Sequence, residues 1–355
     1  TWSAASGMET LGFACIVLFS FCWLLAGWRR WWAYGMIIGL SVWLRPDGII
    51  LLGPAVFVIL LMKDSWRNKL ISLIQLFAGF LLLFLPYLVF NQLLAGSWWP
   101  NTFFAKQSEY AILTRKPIVQ RFLQQAWLPL IGAGILLLPG YVTFSIDAVK
   151  NRKIASIASV LWYLGYLMLY ALRLPVSYQH GRYIMPAMPV YFVFGIAGSW
   201  YLINTIRSDS LRRVSMRTWV LATIAVIVTF WLIGGRTYAY EVALIETEMV
   251  NVARWLEDYS ETESLVAAHD IGALGYFTNR RILDLAGLVS PEVIPIIRDE
   301  AALGDYLNMM EADYLVTFPG WYPELIKQAK PVYQTQGEFS PALGGENMVV
   351  YQWLR

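Results

Sequence analysis

The chain has 355 residues, of which 58% are hydrophobic, 15% aromatic and only 14% charged. A soluble domain carries about 25% charged residues, so this composition excludes a wholly soluble protein. The net charge of +3 gives no polyanion-binding signature, and no nucleic-acid partner is expected.

From residue 9 onward the apolar residues gather into runs separated by short basic patches. A helix needs roughly 20 apolar residues to cross the hydrocarbon layer. The pattern predicts spans near 9–27, 31–44, 48–62, 70–90, 127–146, 154–172, 184–204 and 218–235. The second and third meet at WLRPDG as a tight helical hairpin, either as two crossings or as a re-entrant turn. Cys15 and Cys22 share the first run, roughly 10 Å apart on one helix, too far for a disulfide.

Positive charge orients the spans. Arg29 and Arg30, then Lys63, Arg67 and Lys69, then Lys150, Arg152 and Lys153, then Arg207, Arg212, Arg213 and Arg217 occupy alternate connections, which are expected to be cytoplasmic. The connection at Arg45, the 91–126 loop, the 173–183 loop and both termini are then outside. Residues 236–355 are expected to form an extracytoplasmic α/β domain. There EVALIETEMVNVARWLED has the spacing of an amphipathic helix, and SLVAAHD, RILDLAG, DYLVTF and NMVVYQWL are short buried strands. SPEVIPIIRD and PELIKQAK are helix candidates opening at proline. The fold class is thus a polytopic α-helical membrane protein with a transmembrane domain over 1–235 and a soluble α/β domain over 236–355.

Four polar groups lie where polarity is costly. Arg45 and Asp47 sit between apolar runs, where a charge costs about 2.5–3.5 kcal/mol at mid-membrane. They either pair with each other at a hairpin tip or grip an anionic headgroup, for which a planar guanidinium is suited. In SYQHGRYIMPAMP, Tyr178, Gln179, His180, Arg182 and Tyr183 crowd before a span. They form either an interfacial belt or a loop that meets phosphate and hydroxyl groups. WWPNTFFAKQ places Asn101 and Lys106 at a membrane exit, as an amphipathic interfacial helix or as a polar site. HDIGALGYF places His269 and Asp270 at a strand end. With no His-x-x-x-His or cysteine pair nearby, no zinc site is expected, and the pair reads either as a chemical site or, with Asp270 capping the next turn, as structure.

Taken in order, SGMET at 6–10, RPDG at 45–48, PNTFFAK at 100–106, QHGRYIMPAMP at 179–189 and HDIGALGYF…LDLAGL at 269–288 resemble the C-type glycosyltransferase superfamily. The nearest likeness is to prokaryotic, arabinofuranosyltransferase-like members with an outer C-terminal domain. The resemblance implies a plasma-membrane enzyme that moves sugar from a polyprenyl-phosphate donor to a glycan, lipid or protein acceptor. Arg45, Asp47, Asn101, Lys106, His180, Arg182 and Tyr183 become substrate contacts, with Arg45, Lys106 and Arg182 around one headgroup. Such enzymes differ in use of a divalent metal, and no metal ligand is assigned here. They carry an acidic base in a first outer loop that has no counterpart in this chain; Glu9 is a favourable helix-start charge instead. Either the chain is a fragment or it lacks the catalytic base, which is left unassigned. The alternative is a non-catalytic membrane subunit whose outer domain binds a partner. A transporter ranks behind both, since paired broken helices in two similar halves are lacking.

Overall fold

The computed structural model describes residues 7–354; Thr1–Ser6, Arg355 and the side chains of Tyr178 and Gln179 lie outside the described residues. The serine of the SGMET segment therefore falls outside them. Two compact units form: Thr1–Trp99 with Ile112–Ile233, and Pro100–Ala111 with Gly234–Arg355. The PNTFFAK segment belongs to the unit that holds the C-terminal residues.

The first unit is helical and membrane-associating. Among the described residues four helices can cross a membrane by length and composition: Trp66–Ala95, Ile154–Arg173, Met185–Asn204 and Asp209–Tyr259. A fifth arises if Ile118–Leu130 and Gly134–Lys150, which meet at a 107° bend, make one span. The first three expected spans are the shorter apolar helices Thr10–Leu25, Trp31–Leu44 and Pro46–Leu61. Helix ends follow local chemistry. The Ser65 hydroxyl accepts from the Asn68 amide to start Trp66–Ala95, and Gly96, at φ 65°, ends it in the left-handed conformation that glycine adopts without strain.

Aromatic side chains fill the core of this unit, with Phe13, Tyr34, Tyr166 and Tyr191 fully buried. Gly134–Lys150 and Met188–Asn204 approach through small residues. A Cβ at Gly198 would overlap the Gly140 carbonyl, and one at Gly140 would overlap the Gly195 carbonyl. Glycine at these points lets two backbones touch, as membrane helix pairs require. In contrast, no residue of Asp209–Leu244 is buried among those described, as expected of apolar side chains that face lipid.

The second unit is built on a five-stranded sheet in the order β2-β1-β3-β5-β4. The strands are β1 Leu265–Ala268, β2 Arg281–Asp284, β3 Tyr314–Thr317, β4 Ala329–Gln334 and β5 Val349–Trp353. β1 runs parallel to β2 and β3, while β5 is antiparallel to β3 and β4. Alternation splits the side chains between two cores. Leu265, Leu283, Leu315 and Tyr351 pack on one face with Leu303 and Leu307 of helix Glu300–Met309. Val266, Val316 and Val350 pack on the other with Val252 and Leu256 of helix Asn251–Tyr259. The chain reaches that last helix through a π-turn, Ile245–Val250. The turn buries the Glu248 carboxylate, which accepts from the Met348 amide at 2.8 Å and Asn347 Nδ2 at 3.0 Å, and also from the Thr335 hydroxyl.

All four expected strands are present, and β4 is an addition. PELIKQAK is not a helix: a 3₁₀ turn, Leu325–Gln328, leads directly into β4. β4 is an edge strand containing Pro331 and is mostly exposed, so it lacks the alternation that marks a buried strand. SPEVIPIIRD forms only a 3₁₀ turn at Pro291–Val293. The helix lies further on, at Glu300–Met309, where Asp299 caps the amides of Ala301 and Ala302 at 3.1 Å.

Gly198→Val should destabilise the first unit by about 1–3 kcal/mol or more. Gly165→Val, whose Cβ meets nothing within 4 Å, should change little. Thermal unfolding in detergent compares the two, and equal melting temperatures would refute the close helix contact.

Candidate functional site

In the first unit the helix Trp31–Leu44 stops at Arg45, which is extended, because Pro46 opens a 3₁₀ turn, Pro46–Leu51. The break turns Arg45 and Asp47 inward, and Arg45 is only 5% exposed. Arg45 Nε donates to Asp47 Oδ1 at 3.1 Å and Nη2 to the Tyr170 hydroxyl at 2.7 Å. Nη1 lies 3.4 Å from the Arg182 carbonyl oxygen and 3.7 Å from Glu9 Oε1. Asp47 Oδ2 accepts from the hydroxyls of Tyr166 at 2.6 Å and Tyr170 at 2.7 Å. Tyr166 and Tyr170, one turn apart on Ile154–Arg173, supply two phenols from one helix face. The rings of Phe13 and Tyr183 flank the guanidinium at 5.6 and 5.8 Å.

Of the seven residues singled out from sequence, four gather here: Arg45, Asp47, Arg182 and Tyr183. The Arg182 guanidinium is half-buried and lies 5.3 Å from the Tyr183 ring centre. His180 is exposed, in a left-handed backbone conformation (φ 56°), on the turn before them. Asn101 and Lys106 belong to the second unit. Within the first unit Arg45 and Arg182 lie together, and Arg45 is occupied by protein partners.

In the second unit the helix Asn101–Glu109 brings Lys106 and Glu109 to the end of β1. Ala105 is fully buried, beside Gly287 of the LDLAGL turn. Lys106 Nζ donates to Glu109 Oε2 at 2.7 Å. Glu109 Oε1 lies 3.7 Å from His269 Nε2, and His269 Nδ1 shares a hydrogen bond with the Tyr322 hydroxyl at 2.8 Å. Trp321 meets the imidazole edge-to-face at 5.3 Å. Burial opposes charge on Glu109, yet His269, Lys106 and Tyr110 outweigh it and hold the carboxyl at about 2. Burial raises the carboxyl of Asp270 and the phenol of Tyr322. Asp284, fully buried, is spent on structure: it accepts from the amides of Ala286 and Val289, both at 2.8 Å, and so shapes the LDLAGL turn.

Residues 237–351 match a domain of unknown function, DUF8728. No curated protein matches the chain. The matched stretch holds His269, Trp321 and Tyr322, whereas Lys106 and Glu109 come from outside it. Among the described residues no group of three or more His, Cys, Asp or Glu is placed to hold a metal ion.

The sequence reading missed Glu109, Tyr166, Tyr170, Trp321 and Tyr322. Glu109 had a signal, since Lys106 and Glu109 are three residues apart and share a helix face. Tyr166 and Tyr170 had a weaker one, as two phenols at helical spacing in an apolar run. Trp321 and Tyr322 had none, because only the sheet brings them beside His269.

Removing one partner from a buried pair strands the other charge, so Arg45→Ala should cost about 3–5 kcal/mol. Equal thermal stability of this variant and the wild type would show that the network is not structural. Glu109 contributes stability above its ordinary value of 4.5, and loses it as pH falls through about 2. The wild type should therefore melt higher than Glu109→Gln at neutral pH, and the gap should narrow as acid is added below about 4.5. A gap independent of pH would contradict the assignment.

Proposed function

We propose that the protein transfers a sugar from a polyprenyl-phosphate donor to an acceptor hydroxyl at the outer face of the plasma membrane. One observation carries this reading. Segments far apart in sequence, which together resemble one glycosyltransferase superfamily, fold against each other in pairs. RPDG touches the QHGRY loop and Glu9 through Arg45, and the helix that begins in PNTFFAK meets the end of SLVAAHD through Glu109.

In this reading eight apolar segments cross the membrane, with the basic connections from Arg29 to Arg217 inside and the second unit outside. The donor tail lies in lipid while its phosphate meets the QHGRY loop. Transfer requires cations that hold the departing phosphate as its charge grows. Arg182 fills that role. Arg45 acts as a positioning residue, since its guanidinium is already bound to Asp47 and Tyr170 and holds the Arg182 carbonyl. His180 is assigned to a sugar or acceptor hydroxyl, and the base that takes the acceptor proton is not assigned.

A second reading, a non-catalytic membrane subunit that binds a partner through the second unit, is favoured by one fact. Arg45 and Lys106 are both already neutralised by carboxylates.

The test is transfer from a panel of radiolabelled polyprenyl-phosphate sugars in vesicles containing the full chain. Arg182→Ala should lower the rate about 10²-fold or more, with unchanged melting temperature. Arg45→Lys, which keeps the charge and loses the planar fork, should raise KM for the donor more than it lowers kcat. Undiminished turnover by Arg182→Ala would overturn the assignment, and no transfer by wild type from any donor would favour the subunit.

A further inference from the structure

The order β2-β1-β3 makes β1 a switch point: the chain leaves it for β2 on one side and comes back to β3 on the other. In α/β sheets the crevice outside the carboxyl ends of parallel strands at such a point is where ligands bind. His269 directly follows β1, and Trp321 and Tyr322 lie in the loop after β3. The carboxyl ends of two neighbouring parallel strands therefore present an imidazole, an indole and a phenol together. The helix Asn101–Glu109 adds Lys106 and Glu109 to the same place.

The groups choose the class of ligand. Glu109 and Asp270 oppose an anion such as phosphate. Among the described residues no metal-binding group forms, and the polar walls do not suit a purely apolar molecule. Trp321 is 48% exposed while His269 and Glu109 keep 18% and 16% of their side-chain surface. An exposed indole beside partly open donors and acceptors suits a ring with C–H groups on its face and hydroxyls on its rim. Lys106 and His269 can donate to such hydroxyls, and Glu109 and Asp270 can accept from them.

We infer that the cluster of Lys106, Glu109, His269, Asp270 and Trp321 at the carboxyl ends of β1 and β3 binds an uncharged sugar ring, with Trp321 as the stacking platform. This deepens the transferase reading and rests on it only for the role of that sugar, which would be the acceptor; binding itself needs no transfer.

The full chain in lipid nanodiscs is tested against an array of neutral oligosaccharides, and hits are titrated by calorimetry. Wild type should bind at least one saturably. Trp321→Ala should weaken that binding at least about tenfold. His269→Gln should weaken it too, while Tyr259→Ala, an exposed aromatic on another helix, should not. Absence of saturable binding across the array, or equal affinity of Trp321→Ala and wild type, overturns the inference. The transfer assay separates the two proposals. Binding without transfer by wild type sustains the sugar site and defeats the transferase reading. Full transfer by a Trp321→Ala protein that no longer binds sugar defeats the acceptor role and leaves the transferase standing.

Discussion

A guanidinium and a carboxylate two residues apart, sunk among aromatic rings, need every one of their hydrogen-bonding positions answered, because a lone buried charge is costly. Arg45 and Asp47 draw partners from four parts of the chain: each other, two phenols of Ile154–Arg173, the carbonyl of Arg182 and, as an ion pair at 3.7 Å, the carboxylate of Glu9. The first unit is organised around that demand. Pro46 breaks the helix so that the pair can turn inward. The tyrosines sit at a four-residue spacing so that both reach Asp47. The loop before Met188–Asn204 is tied to Arg45 through the Arg182 carbonyl. Membrane helices lack a strong hydrophobic drive to associate with one another, and a buried polar knot supplies specificity that apolar contacts alone do not.

Much of this architecture was legible from the residues, and the limits have physical causes. Runs of apolar residues marked the helices well, since lipid-facing and core-facing positions are both apolar. The same fact hid where spans end or bend; at the sharp turn before Gly134–Lys150 the only marks were Pro129, Gly132 and Gly134 within an apolar run. In the second unit the four strands with alternating or continuous apolar residues stood out. β4 did not, because an edge strand has little to bury. RPDG and QHGRY were visible as polar islands, but what they touch was not. Tyr166 and Tyr170 looked like ordinary membrane aromatics until Asp47 was placed beside them. The pairing of Glu109 with His269 joins positions 160 residues apart, and nothing local encodes it.

The C-terminal unit shows how a discontinuous segment alters an α/β scaffold. The sheet alone would end at the matched stretch, with His269 at an open strand end. The helix Asn101–Glu109, drawn from between two apolar helices, supplies the carboxylate and ammonium that surround the imidazole. The buried Ala105 fixes how close that helix can come, since a larger side chain would hold it off the LDLAGL turn. Burial and charge then act in opposite directions on neighbouring carboxyls. Glu109, with cationic and hydrogen-bonding partners, stays ionised, whereas burial shifts Asp270 towards its neutral form.

The π-turn at Ile245–Val250 has a geometric consequence. A wider turn takes in one extra residue, and each residue of an α-helix advances the side-chain direction by about 100°. Everything after the turn is therefore rotated on its axis relative to an uninterrupted helix. Glu248 can then face the Thr335–Met348 segment while Val252 and Leu256 still lie flat on the sheet. The added residue works as a phase shifter: it sets which side chains of Asn251–Tyr259 meet the sheet.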